Sequence, residues 1–99
     1  MRPIHVVTLD KSRPALVLTR EPVRSRRNLV TVAPITSTIR CLSVEVPVGL
    51  ANGLDHASVV NLDNIMTIAV ADEGPQIGRL LPEQDGALAA AIQAAFDLD

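Results

Sequence analysis

Arg13 and the hydroxyl run Thr36-Ser37-Thr38 are the residues of this chain best suited to chemistry. A guanidinium offers a rigid fork of donors matched to phosphate oxygens, and short neutral hydroxyls add further donors beside it. Arg13 leaves a first polar turn and the hydroxyls follow a third apolar run. In a tightly curled β-meander these two positions meet at one rim and make a phosphate clamp. Read without that meeting, Arg13 is a surface arginine and Thr36 to Thr38 a solvated loop.

Other candidates are weaker. His5 lies within an apolar run and reads as a packing or capping group. His56 follows Asp55 in a loop and reads as surface rather than as a catalytic group. No HExxH, CxxC, GxSxG or glycine-rich phosphate loop occurs. Cys41 is the one cysteine, so neither a disulfide framework nor a thiolate metal cluster is available within the chain. The expectation is therefore no metal, no cofactor and a cytoplasmic protein. Nothing resembles a signal peptide or a membrane span.

The elements that must position these residues are mostly strands. β-Branched runs at Ile4–Leu9, Ala15–Thr19 and Leu29–Ile35 read as three of them. Leu42 to Val48 alternates, placing Leu42, Val44, Val46 and Val48 on one face. Short strands follow at Ser58–Leu62, Ile65–Val70 and Gln76–Leu81, with turns at Asn52-Gly53, Asp63-Asn64 and 72–75. Then the period changes. Leu88, Ala91, Ile92, Ala95 and Phe96 form the stripe of an amphipathic helix, with Pro82 in its first turn. The expectation is one domain over 1–99: six or seven short strands and a closing helix.

Composition narrows the partners. With 47% apolar and 20% charged residues in 99, the chain is neither disordered nor large enough for two cores. Phe96 is its single aromatic residue, so base-stacking platforms are excluded and any nucleic acid must be held by arginines, hydroxyls and backbone. The net charge of −2 divides into +6 over residues 1–40 and −8 over residues 41–99. Arg20, Arg24, Arg26 and Arg27 cluster in the basic half and suit flanking phosphates.

The order of segments resembles the MazF/PemK family of toxin endoribonucleases, and its actinobacterial members in particular. The segments are Lys11-Ser12-Arg13-Pro14-Ala15-Leu16-Val17-Leu18-Thr19, Val30-Thr31-Val32-Ala33-Pro34-Ile35-Thr36-Ser37-Thr38 and Glu45-Val46-Pro47-Val48. Ser58-Val59-Val60-Asn61-Leu62-Asp63-Asn64-Ile65-Met66-Thr67-Ile68, Ile77-Gly78-Arg79-Leu80 and the closing helix follow. Each piece is short; their order and spacing over nearly the whole chain carry the likeness. It implies a small SH3-like barrel of the CcdB/PemK type, working as a homodimer. It also implies metal-independent cleavage of single-stranded RNA to 2′,3′-cyclic phosphate and 5′-hydroxyl ends, and a cognate antitoxin that blocks the RNA groove. Arg13 matches the main catalytic arginine and Thr36 the catalytic threonine. Lys11, Ser37, Thr38, Ser58 and Asn61 fall in substrate-contacting segments, the last two also near the expected dimer contact. Arginine keeps its proton at ordinary pH, which suits electrostatic stabilisation and proton donation to the leaving 5′-oxygen, not general-base chemistry. The chain departs from the family in its short first loop, Asp10-Lys11-Ser12, and in lacking an aromatic near the first strand. Two other readings stay open: a gyrase-inhibiting toxin on the same fold, and a catalytically weak RNA- or antitoxin-binding module.

Overall fold

The computed structural model describes residues 2–20 and 28–98. Seven strands form one antiparallel sheet: β1 (Pro3–Thr8), β2 (Ser12–Val17), β3 (Leu29–Thr36), β4 (Glu45–Val48), β5 (Ser58–Asn61), β6 (Met66–Ala69) and β7 (Glu73–Arg79). A helix, α1 (Asp85–Ala95), closes the chain. The main path runs β4-β5-β3-β2-β1-β7, and β6 pairs with β3 off that path. The expected mainly-β architecture with a C-terminal helix is present, but the sheet is not closed: β4 and β7 end the path.

The branch arises because β3 changes partner along its length. Leu29 to Val32 pair with β6, whereas Ile35 and Thr36 pair with β5. One strand thus bridges two edges and bends the sheet on itself. The strand residues alternate between two buried clusters on opposite faces. Ile4, Leu16, Ala33 and Ile35 join Val46, Val60, Leu62 and Leu80 in one cluster, which receives Leu88 and Ala91 of α1. Val7, Ala15, Val17, Val30 and Val32 form the other, with Ile68 of β6. The core is wholly aliphatic, as the composition requires.

Several boundaries differ from expectation. β2 begins at Ser12, not Ala15, because a three-residue turn lets Thr8 pair with Ser12. Pro14 is accommodated since the β2–β3 ladder starts one residue beyond it, at Ala15. The alternating segment before β4 is not strand: Glu45 Oε1 accepts the backbone N–H of Arg40 (3.1 Å) and Leu42 (3.2 Å), and Leu42 is exposed. β7 begins early, at Glu73, and takes in the expected turn at 72–75. Its ladder with β1 slips between His5 and Val7, so Pro75 sits at a bulge on an edge strand, where its missing N–H is tolerated. A 3-10 turn, Pro82–Gln84, precedes α1. Phe96 leaves the helical stripe and is exposed.

The loop between β4 and β5 is anchored from below. Asn52, expected as a turn residue, is buried. Its Nδ2 donates to the Arg79 carbonyl (2.9 Å) and to Gln84 Oε1 (2.6 Å), and its Oδ1 accepts the Gly49 N–H (3.1 Å). Gly53 has φ +90° and lies against the backbone of β7. A Cβ on Gly78 would stand 1.7 Å from the Asn52 carbonyl oxygen, so only glycine fits there. Among the described residues no helix is long and apolar enough to cross a membrane.

Candidate functional site

The β2–β3 register decides whether Arg13 and Thr36 meet. Ala15 faces Pro34. That ladder ends there, but its register carried two residues further sets Arg13 toward Thr36, and both line the same two clefts. The period of two then puts both on the face that carries Ala15, Val17, Val30 and Val32. The pair therefore stands where the second apolar cluster ends and the rim begins.

Three clefts converge on Arg13. One, of about 300 Å³, is lined by Lys11, Ser12, Arg13, Thr36, Ser37, His56 and Ser58, among others. A second, of about 390 Å³, takes in Arg13, Thr36, Thr38, Arg40, Glu45, Asn61 and Asp63. A third, of about 530 Å³, runs from Leu9 and Asp10 past Arg13 to Met66. Arg13 lines all three, and Thr36 the first two.

The donors in this site are only partly used. Arg13 Nη2 lies 3.3 Å from Asp10 Oδ1, an acid whose side chain is 78% exposed. Arg13 Nε is buried and has no hydrogen-bond partner. A desolvated guanidinium N–H without an acceptor is costly, and an incoming phosphate oxygen would satisfy it. Thr36 Oγ1 accepts the Thr38 N–H at 3.1 Å. That bond uses an acceptor lone pair and leaves the hydroxyl proton available to a ligand.

The remaining expected residues divide. Lys11, Ser37 and Ser58 line the first cleft, and Thr38 and Asn61 the second. Ser58 is buried and its Oγ donates to the His56 carbonyl at 3.3 Å. Asn61 Oδ1 accepts the Asp63 N–H at 2.9 Å, capping the 3-10 turn Leu62–Asn64. Arg20 is placed elsewhere, in a cleft with Arg2, Thr19, Asp85 and Leu88 beside α1. Arg24, Arg26 and Arg27 lie outside the described residues. His5 is a packing group, as expected: it is buried, and its Nδ1 lies 2.8 Å from the Gly74 carbonyl oxygen.

Sequence reasoning assigned no site role to Asp10, Arg40, Glu45, Asp55 and Asn64, and read Asp63 as solvated surface, yet all of them line these clefts. No spacing marks them, because they come from separate turns and from the start of β4. The charge division along the chain is also not a division in space. Arg2 and Arg20 line one cleft and Arg13 and Arg40 another, and acids from the second half stand beside Arg13. Among the described residues, no three histidine, cysteine, aspartate or glutamate side chains are grouped to hold a metal ion.

Comparison with known proteins adds an independent line. A family model described as "PemK-like, MazF-like toxin of type II toxin-antitoxin system" matches residues 7–96. The chain is 61% identical over 99 residues to a Mycobacterium tuberculosis protein named endoribonuclease MazF3, covering all of this chain and 96% of that one. The solved structure of the Mycobacterium tuberculosis toxin MazF-mt6 is 60% identical, covers 99% of each chain and superposes with a TM-score of 0.97. A mycobacterial endoribonuclease in complex with its cognate antitoxin shares the fold at 22% identity, with a TM-score of 0.87 over 98% of this chain and 93% of that one.

Proposed function

As the chain belongs to the PemK/MazF family of type II toxin–antitoxin toxins and is an endoribonuclease of that family, we propose that Arg13 and Thr36 are its catalytic pair. The observation that carries this reading is the buried, unpartnered Nε of Arg13 opposite a threonine hydroxyl whose proton is free to be donated. In the proposed reaction, single-stranded RNA supplies its own nucleophile, the 2′-hydroxyl. Attack on the adjacent phosphorus concentrates charge on the non-bridging oxygens. Arg13 and Thr36 hold those oxygens more tightly in the transition state than in the ground state. The products are a 2′,3′-cyclic phosphate and a 5′-hydroxyl.

Lys11, Ser37, Thr38, Ser58 and Asn61 frame the path of the strand, and Arg24, Arg26 and Arg27 bind flanking phosphates. We further propose that residues 1–99 act as one toxin domain in the cytoplasm. The domain works as a homodimer that a cognate antitoxin inhibits. Light scattering coupled to size exclusion at twice the monomer mass supports the dimer; the monomer mass refutes it.

The deciding experiment incubates purified protein with end-labelled single-stranded RNA in excess EDTA, beside the Arg13→Ala variant, and analyses product ends. Discrete cuts bearing cyclic phosphates, absent with the variant, support the reading. Intact RNA across a diverse pool refutes it in favour of a binding module or a gyrase-directed toxin.

A further inference from the structure

A transesterification of this kind needs a proton acceptor for the 2′-hydroxyl, and the proposed pair has none. Arg13 is a cation with no lone pair to give, and the Thr36 hydroxyl is no base near neutral pH. The acids near Arg13 are mostly engaged. Asp10 pairs with Arg13, and Glu45 Oε1 holds two backbone N–H groups. The cleft that contains Arg13 and Thr36 also contains an imidazole, His56. Its Nδ1 lies against the Asp55 carboxylate in an ion-pair contact at the exposed rim. An N–H donated from Nδ1 to a carboxylate fixes the tautomer in which Nε2 carries the lone pair, which is the arrangement of a general base.

The support beneath His56 is firm. Ser58 donates to its carbonyl, and the preceding loop is tied by Asn52 to Arg79 and Gln84. The charged and titratable groups that face this cleft are Lys11, Arg13, Asp55 and His56 itself.

We propose that His56 is a further catalytic residue, the general base of RNA cleavage, and that Asp55 is its positioning residue. The proposal rests on the endoribonuclease reading above. His56 Nε2 takes the 2′-hydroxyl proton as the 2′-oxygen bonds to phosphorus. The P–O5′ bond breaks and its electron pair stays on the 5′-oxygen, which takes a proton from Arg13. The imidazolium then loses its proton to water and Arg13 regains one, so the enzyme is unchanged. An imidazole accepts a proton only in its neutral form, so a general-base role shows as an acid limb in the rate profile.

The test measures single-turnover cleavage of a pool of randomised single-stranded RNA oligonucleotides from pH 5 to 9. His56→Ala is expected to lose about 100-fold in rate and to flatten the acid limb of the profile. Added imidazole should restore part of the rate. Binding of the same RNA pool made with 2′-deoxy sugars should be unchanged, which a merely structural role would not give. Asp55→Asn should lower the rate and move the acid limb while leaving that binding intact. The proposal is overturned if His56→Ala keeps the parent rate and profile. It is equally overturned if Asp63→Asn, at the neighbouring cleft, removes the acid limb while His56→Ala retains it. If the parent protein leaves the pool intact, the endoribonuclease reading fails first, and this proposal with it.

Discussion

Replacing Arg13 by lysine and by alanine separates the shape of the guanidinium from its charge. Lysine keeps the positive charge but presents a point donor instead of a fork, and its ammonium cannot occupy both the Asp10 position and the buried Nε position. Loss of one donor aimed at a developing oxyanion costs about 2.7–4 kcal/mol, so Arg13→Lys should cleave about 100- to 1,000-fold more slowly. Arg13→Ala loses two donors and the charge, and should fall about 10,000-fold or more, about 5.5 kcal/mol at 1.36 kcal/mol per decade. Stability should hardly change. The Asp10 partner is mostly solvated, so that pair contributes at most about 1 kcal/mol. Removing Arg13 also removes a buried unpaired N–H, which offsets lost packing. The assays are single-turnover cleavage of labelled RNA and urea unfolding of the same preparations. A lysine variant as fast as the parent would show that charge alone matters and refute the fork argument. An alanine variant that unfolds several kcal/mol more easily would make Arg13 structural.

Further expectations follow from the fold. Asn52→Ala should lose about 2 kcal/mol or more in urea unfolding, because it strands the Gly49 N–H and the Arg79 carbonyl; an unchanged midpoint would contradict the anchoring role. Gly86→Ala should stabilise α1 by about 0.5–1 kcal/mol in thermal unfolding, since a Cβ there meets nothing within 4 Å. Neutralising Arg24, Arg26 and Arg27 together should reduce the slope of log affinity for single-stranded RNA against log salt by about 2, at about 0.7 per lost contact. A salt-independent loss would assign these residues to folding or dimer contacts instead.

The third strand and the hydroxyls that end it are legible in the sequence, because a β-branched run bounded by Thr36-Ser37-Thr38 has few alternatives. The approach of Arg13 to Thr36 is expected from a curled meander, and the two residues line the same two clefts. Other features are hidden for physical reasons. Leu42 and Val44 have the parity of a strand, but the Glu45 carboxylate caps the N–H groups that a ladder would need. Asn52-Gly53 has the composition of a solvated turn, and only the close approach of Gly78 makes it a buried joint. Sequence reasoning set His56 aside because its neighbours in the cleft are more than fifteen residues away along the chain, apart from the loop that carries it.

The two-faced burial of β2 and β3 has a consequence for how the chain finds its alignment. Where one face meets water, a slip by one residue throws apolar groups into solvent and is rejected. Here Pro14 to Val17 and Val30 to Ile35 are largely apolar on both faces, so a slipped pairing would trade one oily environment for another. The hydrophobic pattern therefore does little to choose the alignment. That choice falls to the short Leu9–Lys11 turn, to the residue volumes that each cluster accepts and to the dividing partners of β3. A slip of one would turn Arg13 and Thr36 to opposite sides of the sheet. The proposed pairing of Arg13 with Thr36 thus rests on the count along β2 and β3, which the division of β3 between β6 and β5 helps to hold.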